Sequence, residues 1–148
     1  MNVEFIDTNV LVYAHDAKAG LKRVNSIELV RRLANDNSGA LSIQVLSEFY
    51  AASTRKLAMT SEEAEEIVAD FGAWPIHSPA HADLVRAAGL QRRYQISWWD
   101  ALIVNSAMVL GCSVLWTEDL SHGQLYGSVM VRNPFLQTAQ SHVRRRDG

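Results

Sequence analysis

The stretch VEFIDTNVLVY, residues 3–13, sets one acid and two short polar side chains between apolar runs. Val3 to Ile6 reads as a buried strand, and Asp7-Thr8-Asn9 as the entry into a helix carrying Val10, Leu11 and Val12. Asp7 is thereby expected at the C-terminal end of a core strand. A buried, unpaired carboxylate there is costly or takes up a proton. Three further acids share this kind of setting: Glu48 in IQVLSEFYA, Asp100 in ISWWDALIV and Asp119 in VLWTEDLSHG. Acids at the ends of core elements point to a shared cation, and hard oxygen donors suit Mg²⁺, with Mn²⁺ as the alternative.

Outward from this stretch, apolar periodicity predicts a helix over 22–35, closed by the turn-forming run Asn35-Asp36-Asn37-Ser38-Gly39. A strand is expected over 40–43 and a helix over 44–58, with Glu48 at the edge of its apolar face. Thr60-Ser61-Glu62-Glu63 is a capping box opening a helix to about residue 72, followed by a weak strand over 73–76. Pro79 is expected to start the next helix, which runs to Tyr94. Ser97 caps a helix over 98–110 that is apolar nearly all round and places Asp100 at its third position. Strands are expected over 113–117 and 128–131. Strands alternating with helices imply an α/β fold with a central, mostly parallel sheet, and Asp7 and Asp119 follow strands, where ligand sites gather in such sheets.

With 148 residues, 48% of them hydrophobic, the chain suits one compact domain over 1–135 and a polar basic tail over 136–148 that ends in Arg144, Arg145 and Arg146. The net charge of −2 argues neither for nor against a polyanion partner, because setting the four candidate ligands aside leaves 14 basic against 12 acidic residues. The acidic start MNVEFID does not resemble a signal peptide, and the single Cys112 in LGCSVLW reads as a small buried hydrophobe. A cytoplasmic location follows as an expectation. Residues 98–116 approach membrane-span length but contain Asp100, Asn105 and Gly111, so they read as a buried helix followed by a strand, with no membrane role.

Competing chemistries find less support. His77 and His81 have the spacing of a helical zinc pair, but Pro79 between them disfavours a helix. No Gly-rich phosphate loop, Ser-His-Asp signature or Cys-His pairing is evident. A phosphatase using Asp7 as nucleophile usually shows DxDxT, and Asn9 stands where its second Asp would be. A non-catalytic module whose acidic pocket docks a basic partner is the other alternative. Asn105 reads as a buried amide bonded to backbone.

Taken together, DTNVLVY, QVLSEFY, WWDALIVNSA and LWTEDLSHGQ, in this order, resemble the four acidic motifs of the PIN-domain ribonucleases, and in particular the VapC-type toxins of type II toxin-antitoxin pairs. The resemblance spans Val3 to about Val131. It implies a three-layer α/β/α fold with a sheet of four or five strands. It also implies that Asp7, Glu48, Asp100 and Asp119 are the catalytic, metal-binding acids, with Asp7 and Asp100 as the core pair and Thr8, Asn9 and Thr117 as polar supports. Glu118 would be at most an outer-sphere partner. The implied activity is Mg²⁺-dependent endoribonuclease cleavage by a metal-activated water, leaving 5′-phosphate and 3′-hydroxyl ends. The implied partners are RNA, a second copy of the chain, and a cognate VapB-like antitoxin that inserts a basic side chain into the acidic pocket. Residues 44–55 and 62–71 are candidate partner surfaces, with Tyr50, Phe71 and Trp74 as anchors.

Overall fold

The computed structural model describes residues 2–136. Residues 137–148 of the basic tail, with its three terminal arginines, lie outside the described residues. Six strands form one sheet in the order β3-β2-β1-β4-β6-β5. They are β1 (Glu4–Ile6), β2 (Gly39–Ser42), β3 (Ile76–His77), β4 (Val114–Trp116), β5 (Leu125–Tyr126) and β6 (Val129–Arg132). All pairings are parallel except β5 with β6. The sheet has one more strand than expected, because β5 is a two-residue edge strand paired through Tyr126↔Val129 across Gly127-Ser128, with Gly127 at φ 59°. Such a pair is too short to show a period, although the Gly-Ser turn between apolar residues is its signature.

The helices are α1 (Thr8–Ala14), α2 (Leu21–Asn35), α3 (Ile43–Lys56), α4 (Ser61–Asp70), α5 (His81–Tyr94) and α6 (Trp98–Val109). Short polar caps set three of their starts. Ser42 Oγ accepts from the Val45 N–H, Thr60 Oγ1 from Glu63 and Ser97 Oγ from Asp100. The α3 cap moves that helix's start one residue ahead of the expected one. Pro79 does not open α5; the Asp83 carboxylate reaches back to the Ala80 N–H at 2.7 Å and fixes the start at His81. The weak strand is also displaced, since Phe71–Ala73 forms a 3₁₀ turn and only Ile76–His77 pairs with β2.

Packing centres on β1 and α6. Phe5 and Ile6 are fully buried between the neighbouring strands, and every residue of α6 from Ala101 to Ala107 is buried. Each large apolar side chain so buried contributes about 1.5–3 kcal/mol. The stretch of near-membrane-span length is thus a core helix followed by β4, and among the described residues no helix is long and apolar enough to cross a membrane. Cys112 is buried, and burial pushes its thiol up to about 12. Phe71 and Trp74 stack edge to face at 5.0 Å and pack against the core, so neither stands free as a partner anchor; Tyr50 remains exposed.

A second buried polar group ties α5, α6 and β3 together. Asp83 accepts from Asn105 Nδ2 at 3.0 Å and from Arg86, and these donors together with the Ala80 N–H hold its carboxyl well below the usual range. The amide of Asn105 is therefore bonded to a carboxylate and not to backbone. His77 donates or accepts at Ser106 Oγ, 2.8 Å away, and lies 3.3 Å from Asp83. Its ring thus points into the protein, away from any pairing with the exposed His81.

The Trp74 ring lies directly over Gly39, where an added Cβ would overlap it. Gly39→Ala is expected to lower stability by about 1–3 kcal/mol through overpacking, read as a lower urea midpoint at unchanged slope. An unchanged midpoint would show that Trp74 moves aside freely.

Candidate metal centre

The strand order reverses between β1 and β4, since β1 continues to β2 and β3 on one side while β4 leads to β6 on the other. Ligands bind at such a switch point in open α/β sheets, beyond the strands' C-terminal ends. Asp7 follows β1 there, and Thr117-Glu118-Asp119 follows β4. The two segments are locked together, because the Asp7 N–H donates to the Trp116 carbonyl at 3.0 Å and the Thr117 N–H to that of Arg132. Asp100 reaches the same place from the first turn of α6.

Carboxylate oxygens of Asp7, Asp100 and Asp119 lie within 4.8 Å of one another. Asp7 is the buried member, at 6% exposure. Its Oδ1 accepts from the Thr8 N–H at 2.7 Å and its Oδ2 from the Thr117 hydroxyl at 2.8 Å. Burial nonetheless pushes the Asp7 carboxyl up to about 7, against the two hydrogen bonds and with help from the charges of Asp119 and Asp100. Asp119 is raised as well, by partial burial first and then by Asp100, Glu118 and Glu48. Two carboxylates this close repel by about 4 kcal/mol at an effective dielectric near 20. Three oxygen donors converge here without sulfur or imidazole, a set that fits a hard divalent cation and would relieve this repulsion.

Glu48 lines the same cleft but stands outside that convergent group. Its carboxylate is held from both sides, by the Thr8 hydroxyl at 2.7 Å and by Gln44 Nε2 at 2.9 Å. Asn9 Nδ2 donates to Asp119 at 2.8 Å, and Thr117 Oγ1 also accepts from the Asp119 N–H. Each of the three expected polar supports therefore touches at least one of the four acids. Glu118 does not join them: Tyr13 donates to one of its oxygens at 2.5 Å and Lys22 to the other at 2.8 Å. An outer-sphere place for Glu118 is thus replaced by an ion pair, in which Lys22 also lies over the Tyr13 and Phe135 rings.

The cleft holds about 380 Å³ and contains side chains that motif reading did not single out as site residues. Gln44 is one, and its position four residues before Glu48 on a helix was the available signal. Trp99, Arg55 and Lys56 are among the others, and their convergence depends on how α3 and α6 meet.

The PIN domain family model matches residues 5–127, and the chain belongs to that family. No curated protein sequence matches it. Among solved structures, a toxin-antitoxin complex from Klebsiella pneumoniae superposes with TM-score 0.65 at 18% identity, covering 88% of this chain and 97% of that one. VapBC2 from Rickettsia felis, bound to a DNA fragment from its promoter, gives 0.63 at 18% identity over 88% and 98%. The Sarcin-Ricin loop cleaving toxin VapC20 of Mycobacterium tuberculosis gives 0.58 at 15% over 76% and 86%. At these identities the likeness is one of fold.

The raised Asp7 carboxyl has a consequence for stability without metal. Its folded pKa lies above the unfolded value of about 3.9, so between these two values the native state binds the extra proton. In EDTA, stability is therefore expected to fall as pH rises from about 4 to about 7, with urea midpoints lower at pH 7.5 than at pH 5. Asp7→Asn should flatten that slope; an equal slope in the variant would place the effect elsewhere.

Proposed function

We propose that the protein is a Mg²⁺-dependent endoribonuclease acting as the toxin of a type II toxin-antitoxin pair. The observation that carries the reading is the convergence of Asp7, Asp100 and Asp119 at the switch point of a PIN fold. In this reading those three acids hold the ion. Thr117 and the Thr8 N–H orient Asp7, and Asn9 orients Asp119. A bound Mg²⁺ supplies positive charge against a phosphate oxygen and a water of lowered pKa. Glu48, fixed by Thr8 and Gln44, orients the attacking water. Water oxygen bonds to phosphorus, the bond to the 3′ oxygen breaks, and 5′-phosphate and 3′-hydroxyl ends result.

The partners follow from the same reading. A VapB-like antitoxin is proposed because three of the structural neighbours are described as toxin-antitoxin or VapBC complexes. Leu21 and Val24 of α2, and Val85, Met108 and Val109 of α5 and α6, are exposed apolar side chains that an antitoxin or a second copy of the chain would cover. A cytoplasmic location belongs with this proposal.

Incubation of the purified protein with total RNA, followed by mapping of the cut ends, tests the activity. Cleavage is expected with Mg²⁺ and not with EDTA. Asp7→Asn or Asp100→Asn should abolish it, and Thr117→Val, which removes one oriented hydrogen bond to a ligand, should lower it by about 10–100-fold. Metal-independent cleavage, or full activity in Asp100→Asn, would reject the assignment.

A further inference from the structure

The cleft that holds the acids does not end at them. Asp100 and Asp119 also line a second cleft of about 340 Å³, bounded by Tyr94, Gln95, Ser121 and Gln124. The two clefts thus meet at Asp100 and Asp119. On the first side the wall is α3, which turns Gln44, Glu48, Ala51, Ala52 and Arg55 toward the cleft at the spacing of one helical face. The two alanines leave a trough between Glu48 and the basic pair Arg55 and Lys56 at the helix end. Among the described residues neither basic side chain forms an ion pair.

Trp99 lines the same cleft from α6, beside Asp100. It is 63% exposed, whereas its neighbour Trp98 packs against buried residues of α5 and α6. An apolar ring exposed at a cleft that also holds an acidic centre and, at the far end of α3, two cations has the features of a stacking platform. Protein channels for single-stranded nucleic acid combine these elements, with cations along the backbone and aromatic faces under unpaired bases.

We infer that Trp99 stacks on an unpaired nucleobase next to the scissile phosphate. Arg55 and Lys56 hold phosphates of the same strand, which places the scissile group at Asp7, Asp100 and Asp119. A base paired within a duplex cannot turn its face onto the ring, so the contact requires an unpaired nucleotide beside the scissile phosphate. This inference rests on the nuclease reading and adds to it a residue that sets substrate structure.

Steady-state cleavage of a 12-nucleotide mixed-sequence RNA, single-stranded or annealed to its complement, tests it, with a single-stranded DNA of the same sequence as a further arm. Trp99→Ala is expected to raise KM about 5- to 140-fold, the range of one base stack, while kcat stays within about twofold. Trp99→Phe should recover most of the loss, which a merely structural role would not predict. Arg55→Ala with Lys56→Ala should raise KM and weaken its dependence on salt. The duplex should be a poor substrate. If wild-type protein with Mg²⁺ cuts no RNA, the nuclease reading and this inference fall together. If it cuts and Trp99→Ala shows an unchanged KM, a change in kcat alone, or no rescue by Phe, the stacking role is overturned while the nuclease stands. Equal cleavage of the duplex overturns the contact with an unpaired base, and preferred cleavage of DNA overturns the choice of RNA in the nuclease reading.

Discussion

A carboxylate that would be an anion in water is buried between β1 and β4, and the rest of the site is arranged around keeping Asp7 there. Its backbone N–H is committed to β4, its two oxygens to the Thr8 N–H and the Thr117 hydroxyl, and the Phe5-Ile6 pair before it is fixed in the core. Two donors are not enough to offset the loss of water, which is why the carboxyl is pushed up to about 7. The nearby Asp100 and Asp119 make the position worse unless a cation joins them. A constraint of this kind is stable only where the scaffold over-determines it, and the parallel pairing of β1 with both β2 and β4 does so.

Much of this was legible in the sequence because the decisive features are local. A strand ending in Asp-Thr-Asn, a Ser-capped apolar helix with Asp100 in its first turn and a strand ending in Thr-Glu-Asp each announce their position through short-range chemistry. What escaped depends on long-range pairing. Glu118 sits beside a site residue in sequence, yet Tyr13, 105 residues away, turns it outward together with Lys22. A backbone partner is the local expectation for Asn105, while its actual partner Asp83 lies on another helix. That same Asp83 overrides Pro79 as the start of α5, and β5 is too short to leave a period. Apart from β5, each miss is a tertiary contact prevailing over a local preference.

The placement of the site explains how a fold shared at under 20% identity with its structural neighbours can carry side chains of its own. The sheet and α6 fix the three acids, whereas the walls of the cleft come from α3 and from the exposed start of α6. Core positions are constrained by packing, and wall positions such as Trp99, Arg55 and Lys56 are constrained only by what the cleft must hold. The proposed metal centre and the cleft walls are thus set by different parts of the fold.

Asp7, Asp100 and Asp119 are proposed to form one cluster, protonated at Asp7, which a divalent ion completes. Calorimetric titration of Mg²⁺ near pH 6.5, in two buffers of different ionisation enthalpy, tests it most directly, since binding to a protonated Asp7 must release that proton. Measurable proton release is expected in the wild-type protein, and weak binding without release in Asp7→Asn. Binding with no proton exchange, or equal binding by the variant, would contradict it.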